Sequence, residues 1–211
     1  MIVGCLGATA ALWPASAVPS AALDGCGGVA IARATHHPHG QLAPLAIGDS
    51  TMLLALYDLA ARGFDANAHG CRQFPEALQL LQSLRQTGRL PHMVVIALGA
   101  DGAITHAEIG QALGLLCCTR LLVLVTPREL GGGWGADAIT VRQEARRHRG
   151  RTRLLDWVNY SQGRADWFQP DGLHLTTSGA LAFTRLLAQS LPWAYVKHKS
   201  PPQRRKHPLG P

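Results

Sequence analysis

Four apolar runs of strand length punctuate the chain, at residues 42–47, 93–98, 121–125 and 154–157. The middle two are continuous rather than alternating, the pattern of strands buried on both faces. Between the runs, apolar residues recur every three or four positions instead. Leu53, Leu56, Leu59 and Ala60 mark a helix over 51–62 that stops at Gly63. Ala77, Leu78, Leu81 and Leu84 mark a second helix, opened by Pro75 and closed by Gly88. A short extended piece over 64–68 separates the two. Thr105-His106-Ala107-Glu108 has the form of a capping box and starts a third helix. A fourth follows the glycine-rich stretch 131–135 and ends at Gly150, and the last runs over 177–191. Strand and helix in alternation predict an α/β fold, a three-layer α/β/α sandwich around a parallel sheet, filling residues 42–192. In such sheets ligands bind beyond the carboxyl ends of the strands. Three turns fall there: Gly48-Asp49-Ser50, Gly99-Ala100-Asp101-Gly102 and Thr126-Pro127.

The flanks differ from this pattern. Residues 1–23 carry no charge and are just about long enough to span a bilayer, for which ~20 residues are needed. Ala15-Ser16-Ala17 has the small-x-small form of a cleavage site, but no Lys or Arg precedes the apolar run. A signal peptide, a membrane anchor and the remnant of a preceding membrane helix are the open readings, and each puts the domain outside the cytoplasm. An ordinary buried segment would keep it inside and ranks below them. Residues 24–41, rich in Gly, His and Pro, read as a linker. Its His36, His37 and His39 lie in an unpatterned loop, so no built metal site is expected.

With 211 residues, 47% of them hydrophobic and 16% charged, the chain can bury one core. Its net charge of +7 suggests an anionic partner until its distribution is considered. Five of those charges are Lys197, Lys199, Arg204, Arg205 and Lys206, in a basic tail over 193–211 expected to be disordered. Six arginines between 142 and 153 face only Glu144 and read as the solvated face and end of a helix. No nucleic-acid motif appears, so no nucleic-acid partner is expected, whereas anionic surface polymers remain open. Five cysteines without a Cys-x-x-Cys pair argue against zinc. Cys117 and Cys118 read as buried thiols on a helix end. Cys26 with Cys71 is a candidate disulfide for an exported protein, although sequence does not pair them.

The chemistry gathers at two of these places. Ser50 sits at a strand-to-helix turn, where free N–H groups and the helix dipole favour an oxyanion. Asp171 lies three residues before His174, so its carboxylate can accept the Nδ1–H and turn Nε2 toward the serine as general base. Either motif alone is common in surface turns. Early serine and late Asp-x-x-His, at opposite ends of an alternating α/β pattern, predict a catalytic triad.

The pair resembles the SGNH (GDS-L-like) hydrolase superfamily, whose sheet is flavodoxin-like. Leu155-Asp156-Trp157, Asp166-Trp167-Phe168, Asp171-Gly172-Leu173-His174-Leu175-Thr176, Gly179-Ala180, Arg72-Gln73 and Gly88-Arg89-Leu90-Pro91 narrow the resemblance further. Over about 42–190 the chain is similar to the extracytoplasmic SGNH domain of acyltransferase-3 proteins, which O-acetylate cell-envelope glycans. That resemblance implies oxyanion donors at the N–H groups of Ser50 and Cys71, the latter standing where relatives carry glycine. It implies substrate contacts at Arg72 and Trp167. It also implies that Asp101 occupies the place of an oxyanion-binding Asn. An ionised carboxylate only accepts hydrogen bonds there and opposes the developing charge. Loss of one such donor typically costs about 2.7–4 kcal/mol.

The expected function is therefore a serine esterase or acyltransferase working on O-acyl groups of envelope glycans, through an acyl-serine and with no cofactor or metal. A catalytically weakened glycan-binding domain and a general small-ester hydrolase are the alternatives. The expected partners are an acylated envelope polysaccharide or a small ester, with a membrane acyltransferase as an open third. A monomer is expected.

Overall fold

The computed structural model describes residues 26–117, 119–131 and 135–195. The leader expected over 1–23, Cys118 and nearly all of the basic tail lie outside them. Six strands form one sheet: β1 (Ala30–Ala32), β2 (Leu45–Gly48), β3 (Asp65–Ala68), β4 (Met93–Ala97), β5 (Leu121–Val125) and β6 (Thr152–Leu155). Their order is β1-β3-β2-β4-β5-β6. All neighbours are parallel except β1, which runs antiparallel to β3. Leaving that edge strand aside, the order is the flavodoxin-like one, whose ligand crevice opens where the winding reverses, between β2 and β4.

Alternate residues of the strands feed two cores, one on each face. Ala46, Val95 and Val123 pack with Leu56, Leu59 and Phe183, under α1 (Leu56–Ala61) and α6 (Thr177–Ala188). Ile47, Ile96 and Leu124 pack with Phe74, Leu81, Ile109 and Val141 on the other side. That side is covered by α2 (Phe74–Gln86), α3 (His106–Leu116) and α4 (Ala136–Arg147). A single-turn α5 (Trp157–Tyr160) completes the set. No described helix is long and apolar enough to cross a membrane.

Several expectations are corrected. Residues 24–41 are not a plain linker, since β1 lies within them. The helix expected over 51–62 begins instead as a 3-10 helix, Ser50–Ala55, before α1 continues it. The last strand starts earlier than expected and ends at Leu155, because Asp156 caps α5 by accepting from the Asn159 N–H. Cys117 is exposed rather than buried. The arginines of 142–153 are not simply solvated: Arg142 makes a two-pronged pair with Asp156, and Arg151 donates to the carbonyls of Leu113 and Cys117. Glu144 is itself buried, between His106 and His148.

Candidate active site

Gly48 ends β2 and must be glycine: a Cβ there would lie 2.5 Å from the Met52 Cβ. Asp49 follows as N-cap. Its Oδ1 accepts from the Thr51 N–H (3.0 Å) and the Thr51 hydroxyl (2.6 Å), and its Oδ2 accepts from the Ala100 N–H (3.1 Å). The carboxyl is almost wholly buried, and burial raises its pKa against the opposing pull of those three donors. Asp49 therefore staples the turn after β2 to the turn after β4. The sequence reading gave it no role, although an Asp two residues before a Thr at a helix start is a capping signal.

That capping leaves one donor over. Thr51 N–H goes to the Asp49 side chain and Met52 N–H to the Asp49 carbonyl. The Ser50 N–H, at the start of the same turn, has no acceptor among the described residues.

The loop before α6 brings the other two members of the expected triad to Ser50. Ser50 Oγ lies 3.0 Å from His174 Nε2, and His174 Nδ1 lies 2.6 Å from Asp171 Oδ2. The other Asp171 oxygen accepts the N–H groups of Leu173 (2.9 Å) and His174 (3.0 Å). The backbone bond from Leu173, followed by the His174 ring, holds the Asp171 carboxyl below its ordinary range. Two bonds from the segment after β5 fix the loop in turn: Arg128 Nε donates to the Gly172 carbonyl (3.2 Å) and the Gly131 N–H to that of Asp171 (2.9 Å). Arg128 carried no sequence signal, and Gly131 only that of the glycine-rich stretch before α4. A groove of about 310 Å³ beside Ser50 and His174 is walled by Leu53, Leu54, Gln169 and Leu175.

Cys71 has a φ of +56° and is disulfide-bonded to Cys26. Its N–H, like that of Ser50, has no acceptor among the described residues. Asp101 sits in the turn after β4, with its Oδ2 buried and without a described partner. The two residues expected to touch substrate are both buried. Arg72 is buried, and its guanidinium donates to the carbonyls of Gly48 (3.0 Å) and Asn67 (2.8 Å) and to the Asn67 side chain (2.7 Å). It ties the Cys71 turn to the ends of β2 and β3. Trp167 is also buried, stacked on Trp157 at 5.8 Å between centroids and 9° between planes. No group of three or more potential metal ligands occurs among the described residues.

No family model matches the chain. Among curated proteins, YrhL of Bacillus subtilis is 30% identical over 152 residues, 70% of this chain and 23% of that protein. The peptidoglycan O-acetyltransferase OatA of Listeria monocytogenes is 26% identical over 68% of this chain and 23% of its own length. The chain thus spans about a quarter of the length of these relatives. Among solved structures, the C-terminal catalytic domain of Streptococcus pneumoniae peptidoglycan O-acetyltransferase A superposes with a TM-score of 0.60. It is 21% identical, over 78% of this chain and 96% of that one. A lipase/acylhydrolase from Enterococcus faecalis gives 0.56 at 16% identity, over 74% of this chain and all of that one. The fold is that of the SGNH hydrolases.

Proposed function

We propose, starting from an SGNH-hydrolase fold whose sequence relatives include named O-acetyltransferases, that this chain forms an acyl-enzyme on Ser50 and acts on O-acetyl groups of a cell-envelope glycan. The observation that carries the reading is the continuous line from Ser50 Oγ through the His174 ring to Asp171. Ser50 Oγ attacks the acyl carbonyl while His174 Nε2 takes its proton. The oxyanion meets the spare N–H groups of Ser50 and Cys71. Collapse breaks the ester, and His174 returns the proton to the departing alcohol oxygen. Water or a second sugar hydroxyl, deprotonated by His174, then takes the acetyl group, and His174 returns that proton to the departing Ser50 Oγ. Asp171 stays ionised throughout and keeps the imidazole in the required tautomer. None of these steps calls for a cofactor.

A location outside the cytoplasm belongs to the same proposal, supported by the Cys26–Cys71 disulfide and by relatives named for peptidoglycan. One observation favours a second reading. The buried, unpartnered Asp101 Oδ2 suits a weakened hydrolase that mainly holds its glycan.

The test is release of p-nitrophenol from p-nitrophenyl acetate, with and without a glycan acceptor, for the wild type and Ser50→Ala. The wild type should turn over, and an acceptor that becomes acetylated identifies transfer. Ser50→Ala should lose about 10⁴-fold or more in kcat. Equal activity in a folded Ser50→Ala protein refutes the acyl-enzyme.

A further inference from the structure

Cys71 is one of only two described non-glycine residues with positive φ. Glycine adopts that backbone freely and a side chain resists it, so something must hold the turn. From below, the buried Arg72 pins the residue that follows. From outside, residues 26 and 27 lie across the turn as a strap. Cys26 is bonded to Cys71, and the Gly27 carbonyl lies 3.1 Å from His69 Nε2. Gly70 packs so closely under Cys26 that a Cβ would sit 2.1 Å from the Cys26 carbonyl oxygen. The strap is the direct extension of β1, whose Ala30 stands opposite Ala68 of β3. Continuing that register outward leads to the neighbourhood of Cys71, so the disulfide closes the ladder where its hydrogen bonds stop.

We propose that Cys26 is a positioning residue: through its disulfide it holds Cys71 in the left-handed conformation that aims the Cys71 N–H into the oxyanion site beside Ser50. This rests on the acyl-enzyme reading above. A peptide N–H points where the φ of its own residue and the ψ of the preceding one direct it. With the bond cut, Cys71 is free to leave positive φ, and the peptide between Gly70 and Cys71 turns with it. The triad itself is untouched, because Ser50, His174 and Asp171 are tied through other elements. The effect belongs to the transition state, where the carbonyl oxygen becomes negative, and not to binding of the neutral ester.

The experiment compares wild type, Cys26→Ser and Cys26→Ser/Cys71→Gly on p-nitrophenyl acetate, with thiols counted under denaturing conditions and folding followed by circular dichroism. Cys26→Ser should lose kcat, by up to the ~10²–10³ of one oxyanion donor, at nearly unchanged KM. The double variant should regain most of that loss, because glycine occupies φ near +56° without a tether. A merely structural crosslink predicts no such rescue, since glycine at 71 adds freedom to the unfolded chain. If Cys26→Ser does not fold, the native wild type is reduced in place with dithiothreitol. The reagent gives two electrons and two protons to the disulfide and closes into its own cyclic disulfide, and the same loss of kcat is expected. Full activity without the disulfide, or a loss that Cys71→Gly does not repair, overturns the proposal. Absence of turnover in the oxidised wild type, with Ser50 unlabelled by a fluorophosphonate, would instead remove the acyl-enzyme reading beneath it.

Discussion

The loop of Asp171 and His174 meets Ser50 itself, whereas the turns that follow β3 and β4 bond to the residues just before it, Gly48 and Asp49. The base side is closed. Asp171 receives two backbone N–H groups and the His174 ring, while Arg128 and the Gly131 N–H grip the carbonyls of the same loop. The proposed oxyanion side is open. The N–H groups of Ser50 and Cys71 have no described acceptor, Asp101 Oδ2 has no described donor, and the Cys71 turn is held by a disulfide and by Arg72. The difference follows the chemistry expected of each side. A general base must be oriented before substrate arrives, so its bonds are spent within the protein. An oxyanion hole must keep its donors for a charge that exists only in the transition state.

The most damaging way to break this comparison is to open the closed side. Asp171→Asn keeps the shape of the loop but offers the His174 ring an amide in place of a carboxylate. The imidazole is then free to take the wrong tautomer, with no anion to balance its charge. A loss of about 10³–10⁴ in kcat on p-nitrophenyl acetate is expected, by analogy with the same change in a serine-protease triad. A loss below tenfold in a folded variant would mean that Asp171 does not orient the base.

The opposite experiment repairs the open side. Asp101→Asn should raise kcat at neutral pH, by a factor bounded by the ~10²–10³ of one oxyanion donor. The substitution replaces a carboxylate oxygen buried without a donor by a group that can donate. A folded Asp101→Asn enzyme with unchanged or lower kcat would place this turn outside the oxyanion site. It would also leave the buried oxygen facing another partner.

The two sides were not equally legible in sequence. The meeting of Ser50, Asp171 and His174 could be expected because a triad requires particular residue types at particular turns, and β4 and β5 because both their faces are buried. Thr105 and Glu108 form the expected capping box. The oxyanion side was harder, since backbone N–H groups leave no residue signature. There the resemblance, not the pattern, pointed to Cys71. Asp49 and Arg72 carry the turns through bonds to main-chain atoms, which only the folded chain defines. The stacking of Trp167 on Trp157 left no trace in sequence, because an aromatic beside a loop looks the same whether it faces solvent or another ring. β1 escaped notice because three residues, partly exposed and paired on one side only, make no run.

The smallest effect concerns stability, and it has opposite signs on the two sides. Asp171 has a depressed folded pKa, caused first by the Leu173 N–H and then by the His174 ring. An acid of that kind adds stability that is fully present above its unfolded value of 3.8 and lost as pH falls through the folded value. Because Asp171 is partly exposed, the contribution should stay below about 1 kcal/mol. Asp49 has a raised folded pKa, caused first by burial. Here the folded state binds the proton more tightly, so stability falls as pH climbs from 3.8 to the raised folded value. Urea unfolding of the wild type, Asp171→Asn and Asp49→Asn between about pH 2 and pH 7 separates the two. The wild type should gain on Asp171→Asn as pH rises through the lower window, and lose against Asp49→Asn through the upper one. The slope is the quantity to read, not the offset. An amide at 49 cannot accept from both Thr51 and Ala100 as the carboxylate does, and that cost is the same at every pH. Parallel profiles for wild type and Asp49→Asn would show that the three donors on Asp49 balance its burial. The oxyanion side would then be as well compensated as the base side.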